Sequence, residues 1–150
     1  MPQHPITDAD RQAIRDLLSL YCHAMDAGRA DLCIRLFSTV ARIATPVGEA
    51  VGRDAIRAWI DERLALRSPD HQVAHYLLNP LVEGTGASQA SVRSMLLYTR
   101  QLKAGGSPVE VLSGGIYEDS VVKEEGRWRF SERTYGLSLP LGEGFFPAGV

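Results

Sequence analysis

Residues 72–83, QVAHYLLNPLVE, are where the chain changes its period. Side chains there recur at a spacing of two, as in a half-buried strand. Alternation puts His71, Val73, His75, Leu77, Asn79 and Leu81 on one face. A histidine between Val73 and Leu77 is expected to point toward whatever covers that face. Three more stretches of the same kind come later, at 89–103, 109–124 and 127–137. The connections are short: 84–88, then Gly105-Gly106-Ser107-Pro108, then Glu125-Gly126.

Upstream the period is helical. Ile14, Leu17, Leu18, Tyr21, Cys22 and Met25 form one apolar stripe. Thr7 is the expected N-cap, Asp8 and Asp10 face the positive dipole end, and Gly28 is the expected stop. A second, shorter helix is expected to carry Leu32, Cys33, Leu36 and Phe37 on one face. ARIATPV at 41–47 reads as a short strand broken by Pro46 and Gly48. A third helix opens at Gly52 and Asp54, carries Ile56, Trp59, Ile60 and Leu64, and ends at Ser68-Pro69. Helices first, then a meander of long strands, is an α+β order. Three helices cover only one face of such a sheet, and a sheet that curves around them forms a cone with an apolar cavity.

The composition agrees with one globular domain over residues 1–150. Hydrophobic residues make up 45% and charged residues 23%, so a disordered or fibrous chain is excluded. Sixteen Lys and Arg against 18 Asp and Glu give a net charge of −2, which offers no basic excess for nucleic acid. No apolar run reaches the roughly 20 residues that span a bilayer. The first ten residues, MPQHPITDAD, do not read as a signal peptide, so the expected location is cytoplasmic. Cys22 and Cys33 are expected to be buried thiols. No metal-binding spacing, P-loop or dinucleotide fingerprint is present, so neither a metal nor a cofactor is expected.

The residues that can do chemistry are few. Asp26 stands near the negative end of the first helix dipole, which disfavours a carboxylate. A residue that costs stability without evident compensation invites a functional reading, with a solvated helix end as the alternative. His75 offers an imidazole that titrates near neutral pH, with a hydrogen-bonded core histidine as the alternative. Tyr21 belongs to the apolar stripe and supplies a phenol. Tyr98, Asn79, Tyr117 and Trp59 are the expected substrate-lining positions. In the last strand Trp128 and Phe130 are expected to face the helices. Arg129 and Arg133 then face outward unless a bulge resets the register.

Four pieces in order, IRDLLSLYCHAMDAGRADLCIRLF, VGRDAIRAWI, HYLLNPLVE and GGIYEDSVVKEEGRWRFSER, resemble the SnoaL-like branch of the nuclear transport factor 2-like superfamily. The resemblance covers about residues 6–138, leaving an irregular tail at 139–150. It implies a cystatin-like α+β cone: a strongly bent, mostly antiparallel sheet wrapped around three N-terminal helices. Within that branch the chain is similar to the subgroup of scytalone dehydratase, bile acid 7α-dehydratase and hexachlorocyclohexane dehydrochlorinase. That similarity implies a dyad at Asp26 and His75, a helix tyrosine at Tyr21 and a polar strand residue at Tyr98. Dehydrochlorinase-like members also use a basic residue late in the chain, for which Arg133 is the nearest match. The implied activity is cofactor-free dehydration or isomerisation of a hydrophobic small molecule. The alternatives are a non-catalytic binding or assembly domain, and a structural partner resembling the small β subunit of ring-hydroxylating dioxygenases.

The Asp26 carboxylate should reach a His75 ring nitrogen at about 2.6–3.2 Å. Met95, Leu97, Leu112 and Ile116 should form an apolar outer sheet face that pairs copies into a homodimer or higher oligomer. Phe145 and Phe146 should cap the pocket mouth or dock on a neighbouring subunit.

Overall fold

The computed structural model describes residues 6–136. Helix α1 (Asp8–Asp26) is followed by a short helix α2 (Ala30–Cys33) and a 3-10 turn over Ile34–Leu36. Strands β1 (Phe37–Thr45) and β2 (Gly48–Val51) precede helix α3 (Arg53–Ala65). Four long strands complete the described chain: β3 (His71–Gly86), β4 (Gln89–Leu102), β5 (Glu110–Glu124) and β6 (Arg127–Gly136). The six strands form one sheet in the order β2-β1-β6-β5-β4-β3. Every pairing is antiparallel except β1 with β6. The sheet curls around the helices without closing, so the α+β cone expected from the sequence is what forms.

Helix α1 is fixed at both ends. Its Thr7 hydroxyl accepts from the Asp10 backbone N–H, and the Asp10 carboxylate accepts from Thr7 N–H in return. The same carboxylate accepts from Lys123 Nζ at 2.8 Å and Trp128 Nε1 at 2.9 Å, which ties the helix start to the β5–β6 hairpin. Gly28, at φ +69°, turns the chain out of the helix as expected. Between these ends the stripe of Ile14, Leu17, Leu18, Tyr21, Cys22 and Met25 is buried with Phe37, Ile43, Ile56, Ile60, Val121 and Phe130. Cys22 and Cys33 are free and buried. Among the described residues no helix is long and apolar enough to cross a membrane.

Two sequence expectations about elements need correction. The second helix ends at Cys33, and Phe37 opens β1 instead of continuing a helical face. Gly48 does not break a strand but starts β2, paired with Thr45.

Two irregularities decide which side chains face inward. In β3 the register shifts between Leu78 and Leu81, where Asn79 adopts φ +52° ahead of Pro80. Beyond it Val82 packs on the core and Leu81 is 41% exposed. Between β5 and β6 the register shifts at Ser120 and Val121, so Ser120 pairs with Glu132 while Val121 pairs with Phe130. Ser131 is the extra residue. Arg133 therefore turns inward, and its side chain is fully buried. The outward orientation read from simple alternation is overturned by this bulge.

The outer face of the sheet carries two apolar cross-strand rows, Tyr76 with Leu97 and Leu78 with Met95 and Ile116. Tyr76, Leu78 and Leu112 are exposed, while Ile116 is already buried within the chain. Residues 139–150, with Phe145 and Phe146, lie outside the described residues.

On the inner face Gly115 is required by its neighbours. A Cβ there would lie 2.3 Å from the Gly136 carbonyl oxygen and 2.6 Å from the Tyr135 ring. Backbone cannot yield as a flexible side chain does. Gly115→Ala should lower stability by about 1–3 kcal/mol, read as a lower urea midpoint at unchanged m-value.

Candidate active site

The cross-strand registers place one inward layer at a time. His75 of β3 pairs with Tyr98 of β4, and Tyr98 with Ser113 of β5. Deeper in the cone Ser94 pairs with Tyr117 and Tyr117 with Tyr135; deeper still Val92 pairs with Asp119 and Asp119 with Arg133. Helix α1 lies over these layers and delivers Tyr21 and Asp26 from its last turns.

Asp26 and His75 meet. The carboxylate Oδ1 lies 2.5 Å from His75 Nδ1, and both carboxylate oxygens accept from the His75 backbone N–H, at 3.2 and 3.0 Å. A carboxylate only accepts, so the ring nitrogen that faces it, Nδ1, carries a proton and Nε2 points away from Asp26. The Asp26 and His75 side chains are 18% and 11% exposed, so the pair is shielded yet reachable. Arg67 donates to the Met25 carbonyl beside Asp26, bringing a cation to the helix end where the carboxylate is otherwise disfavoured. That interaction supplies the compensation not evident in the sequence.

Aromatic rings surround the imidazole. The Tyr98 ring centroid is 4.6 Å away and the Tyr21 ring stands edge-on at 6.5 Å. Tyr21 is 2% exposed and meets Tyr117 edge-on at 6.4 Å. Burial pushes the Tyr21 phenol well above its ordinary value and raises Tyr117 to about 12. Tyr117 stacks against Tyr135 at 5.1 Å, and the Tyr135 hydroxyl meets Ser113 Oγ at 2.6 Å.

Trp59 and Asn79 are placed differently from one another. Trp59 packs on the core from α3 beneath the Arg63 guanidinium, and its buried Nε1–H has no hydrogen-bond partner among the described residues. Asn79 does not join the site. The β3 bulge puts it outward, exposed, with its amide on Met95 Sδ. Among the described residues no cluster of His, Cys, Asp and Glu is arranged to hold a metal ion.

Arg133, which the resemblance offered as the late basic residue and alternation turned outward, lies inside the cone with Asp119. Arg133 has its guanidinium carbon 4.0 Å from the Tyr21 ring centroid, 3.8 Å from that of Tyr117 and 4.5 Å from that of Phe130. Asp119 is its charge partner, with Oδ1 3.3 Å from Nε. Burial pushes the Asp119 carboxyl up to about 7, against the opposing pull of Arg133. Asp119 was legible in part, because it shares parity with Tyr117 and Val121. The Ser113–Tyr135 contact had no sequence signal.

Comparisons with known proteins agree with this architecture. The model of the SnoaL-like domain family matches residues 8–134, and the chain belongs to that family. A candidate aromatic ring hydroxylase from Novosphingobium aromaticivorans is 27% identical, with a TM-score of 0.77 over 91% of this chain and 94% of its own. A candidate scytalone dehydratase from the same organism is 24% identical, with a TM-score of 0.74 over 87% of this chain and 85% of its own. A cystatin-like fold protein of unknown function from Nostoc punctiforme is 20% identical, with a TM-score of 0.74 over 91% of this chain and 98% of its own. None of the curated proteins matches the chain.

The Asp119 carboxyl has a measurable consequence. Its native value lies above the 3.8 of an unperturbed aspartate, so the folded state holds the extra proton between the two. The stability this contributes is complete below about pH 4 and is lost as pH rises through about 7. Asp119→Asn removes that dependence. Urea unfolding from pH 4.5 to pH 8 should show the variant gaining on the parent with rising pH, on the order of a few kcal/mol.

Proposed function

We propose that this SnoaL-like protein is a cofactor-free lyase or isomerase, dehydratase-like, acting on a hydrophobic small molecule of polyketide, steroid or aromatic type. The observation that carries the reading is the two-fold grip of Asp26 on His75, through the ring Nδ1–H and the backbone N–H together. That grip fixes one tautomer and one ring orientation. A binding or assembly domain has no use for it and would tolerate the two groups apart. The 27% identical neighbour's name supports an aromatic type of ligand.

The chemistry balances without a further reactant. His75 Nε2 takes a proton from carbon next to a carbonyl, and Asp26 stabilises the imidazolium that forms. The electron pair of the C–H bond moves onto the carbonyl oxygen, where a phenol of Tyr21 or Tyr98 donates to the growing charge. In dehydration the pair then expels a β-hydroxyl, which takes the proton back from the imidazolium and leaves as water. In isomerisation the same proton returns to a different carbon. Tyr117 supplies wall beside the Tyr21 ring, and Trp59 is assigned as a further lining residue whose unpartnered N–H offers one polar anchor.

The outer sheet face supports a second element of the proposal, a homodimer. Tyr76, Leu78 and Leu112 leave apolar surface in water, and a second copy covers it.

For the enzymatic reading the expected outcome is base-catalysed exchange of the α-protons of 1-tetralone into deuterated water, followed by proton NMR. His75→Ala should lower the rate by about 10³-fold and Asp26→Asn by about 10²-fold or more, with far-ultraviolet circular dichroism unchanged. Tyr21→Phe should cost about 10²-fold. Exchange that is indifferent to His75 overturns the reading. For assembly, sedimentation equilibrium should give twice the 16.4 kDa chain mass, and Leu78→Lys with Leu112→Lys should return it to one.

A further inference from the structure

The core contains a charged pair that the dyad chemistry does not use. Arg133 and Asp119 face one another across β6 and β5 with both side chains fully buried. None of the guanidinium nitrogens and neither carboxylate oxygen has a hydrogen-bond partner among the described residues. A buried ion pair of this quality is a poor stabilising device, since well-packed apolar residues of the same volume serve equally or better. Its charge therefore calls for another account.

We propose that Arg133, with Asp119, is a positioning residue for the Tyr21 and Tyr117 phenols: its guanidinium, sealed against both rings, sets how readily their hydroxyls donate. This deepens the enzymatic reading and rests on the assignment of Tyr21 as a donor in that chemistry.

The Arg133 side chain is 0% exposed. The guanidinium carbon lies 4.0 and 3.8 Å from the centres of the two phenol rings. A desolvated cation against the face of a ring withdraws electron density and favours the phenolate side of the O–H bond. A second charge tunes the first. Asp119 neutralises part of the cation at 3.3 Å and lies on the same strand face as Tyr117.

The two phenols act on each other: Tyr117 raises the Tyr21 value, and a hydrogen bond with Tyr21 lowers that of Tyr117. Cys33 and Cys22 also raise the Tyr21 value, their own thiols being pushed to about 12 and about 11 by burial. Arg133 lowers both phenols, while Asp119 raises Tyr117. The sequence route to this arrangement is the bulge at Ser131, without which the guanidinium would point into water.

The test reads the phenols directly. The full chain is labelled with fluorinated tyrosine, whose lower phenol pKa brings the titration below alkaline unfolding, and is followed by fluorine NMR. Tyr21→Phe and Tyr117→Phe assign the two signals. Arg133→Met should raise the apparent phenol pKa by about one unit, tenfold in acidity, and Asp119→Asn should lower it. The double variant should fall between, and Arg133→Lys should restore part of the acidity. A merely structural role predicts shifts of the same sign in both single variants, or none, and either result overturns the proposal. If Arg133→Met does not fold, the opposed signs of Arg133→Lys and Asp119→Asn decide it. The 1-tetralone exchange assay separates the two levels. Opposed shifts with exchange indifferent to Tyr21→Phe refute Tyr21 as the donor and leave the positioning intact. Sensitivity to Tyr21→Phe without opposed shifts does the reverse.

Discussion

The carboxylate of Asp26 joins the two halves of the fold at the point where chemistry is placed. Helix α1 ends on it, and β3 is held to it through both the backbone and the ring of His75. The position of the imidazole therefore depends on where the last turn of α1 comes to rest. That turn is fixed from the other end of the helix, where Asp10 bonds the Thr7 cap, Lys123 and Trp128. A helix held at both ends is a rigid spacer between the β5–β6 hairpin and the base. Rigidity of this sort is what general acid–base catalysis needs, because the tautomer must be set before a substrate arrives.

Beneath the dyad the inner face changes from apolar wall to a sealed electrostatic core. Tyr21 meets His75 edge-on, Phe37 and Phe130 in the hydrophobic cluster, Tyr117 across the cone, and the Arg133 cation against its face. One side chain thus links helix packing to the charge state of the interior. Burial alone would leave both phenols poor donors. A cation that water cannot reach is screened less than one at the surface, and Asp119 sets how much of its charge the phenols feel.

Two local irregularities carry as much weight as any helix. Each inserts a residue into a ladder and inverts the parity of the residues beyond it. At Asn79 the inversion removes an amide from the site and sends Leu81 outward while Val82 joins the core. At Ser131 it brings a guanidinium inside. Gly115 works in the same register, leaving the space into which the Tyr135 ring folds beside Tyr117. The shape of the interior is therefore written in where the strands depart from regular pairing.

Periodicity and capping were local properties, and the chain determined them alone. The stripe on α1, the Thr7 cap, the Gly28 stop, the change to period two at residue 72 and the inward face of His75 all arise from neighbours a few residues away. The α+β order follows from the same periods, whereas the approach of Asp26 to His75, 49 residues apart, is made by packing α1 on β3. Tertiary structure decided the rest. A bulge has no sequence signal in alternation, so Asn79 and Arg133 ended on the opposite faces from those expected. The value of Asp119 depends on burial and on a cation from the neighbouring strand, and the Ser113–Tyr135 contact on the space that Gly115 leaves. These are properties of strands brought side by side, and a single strand does not contain them.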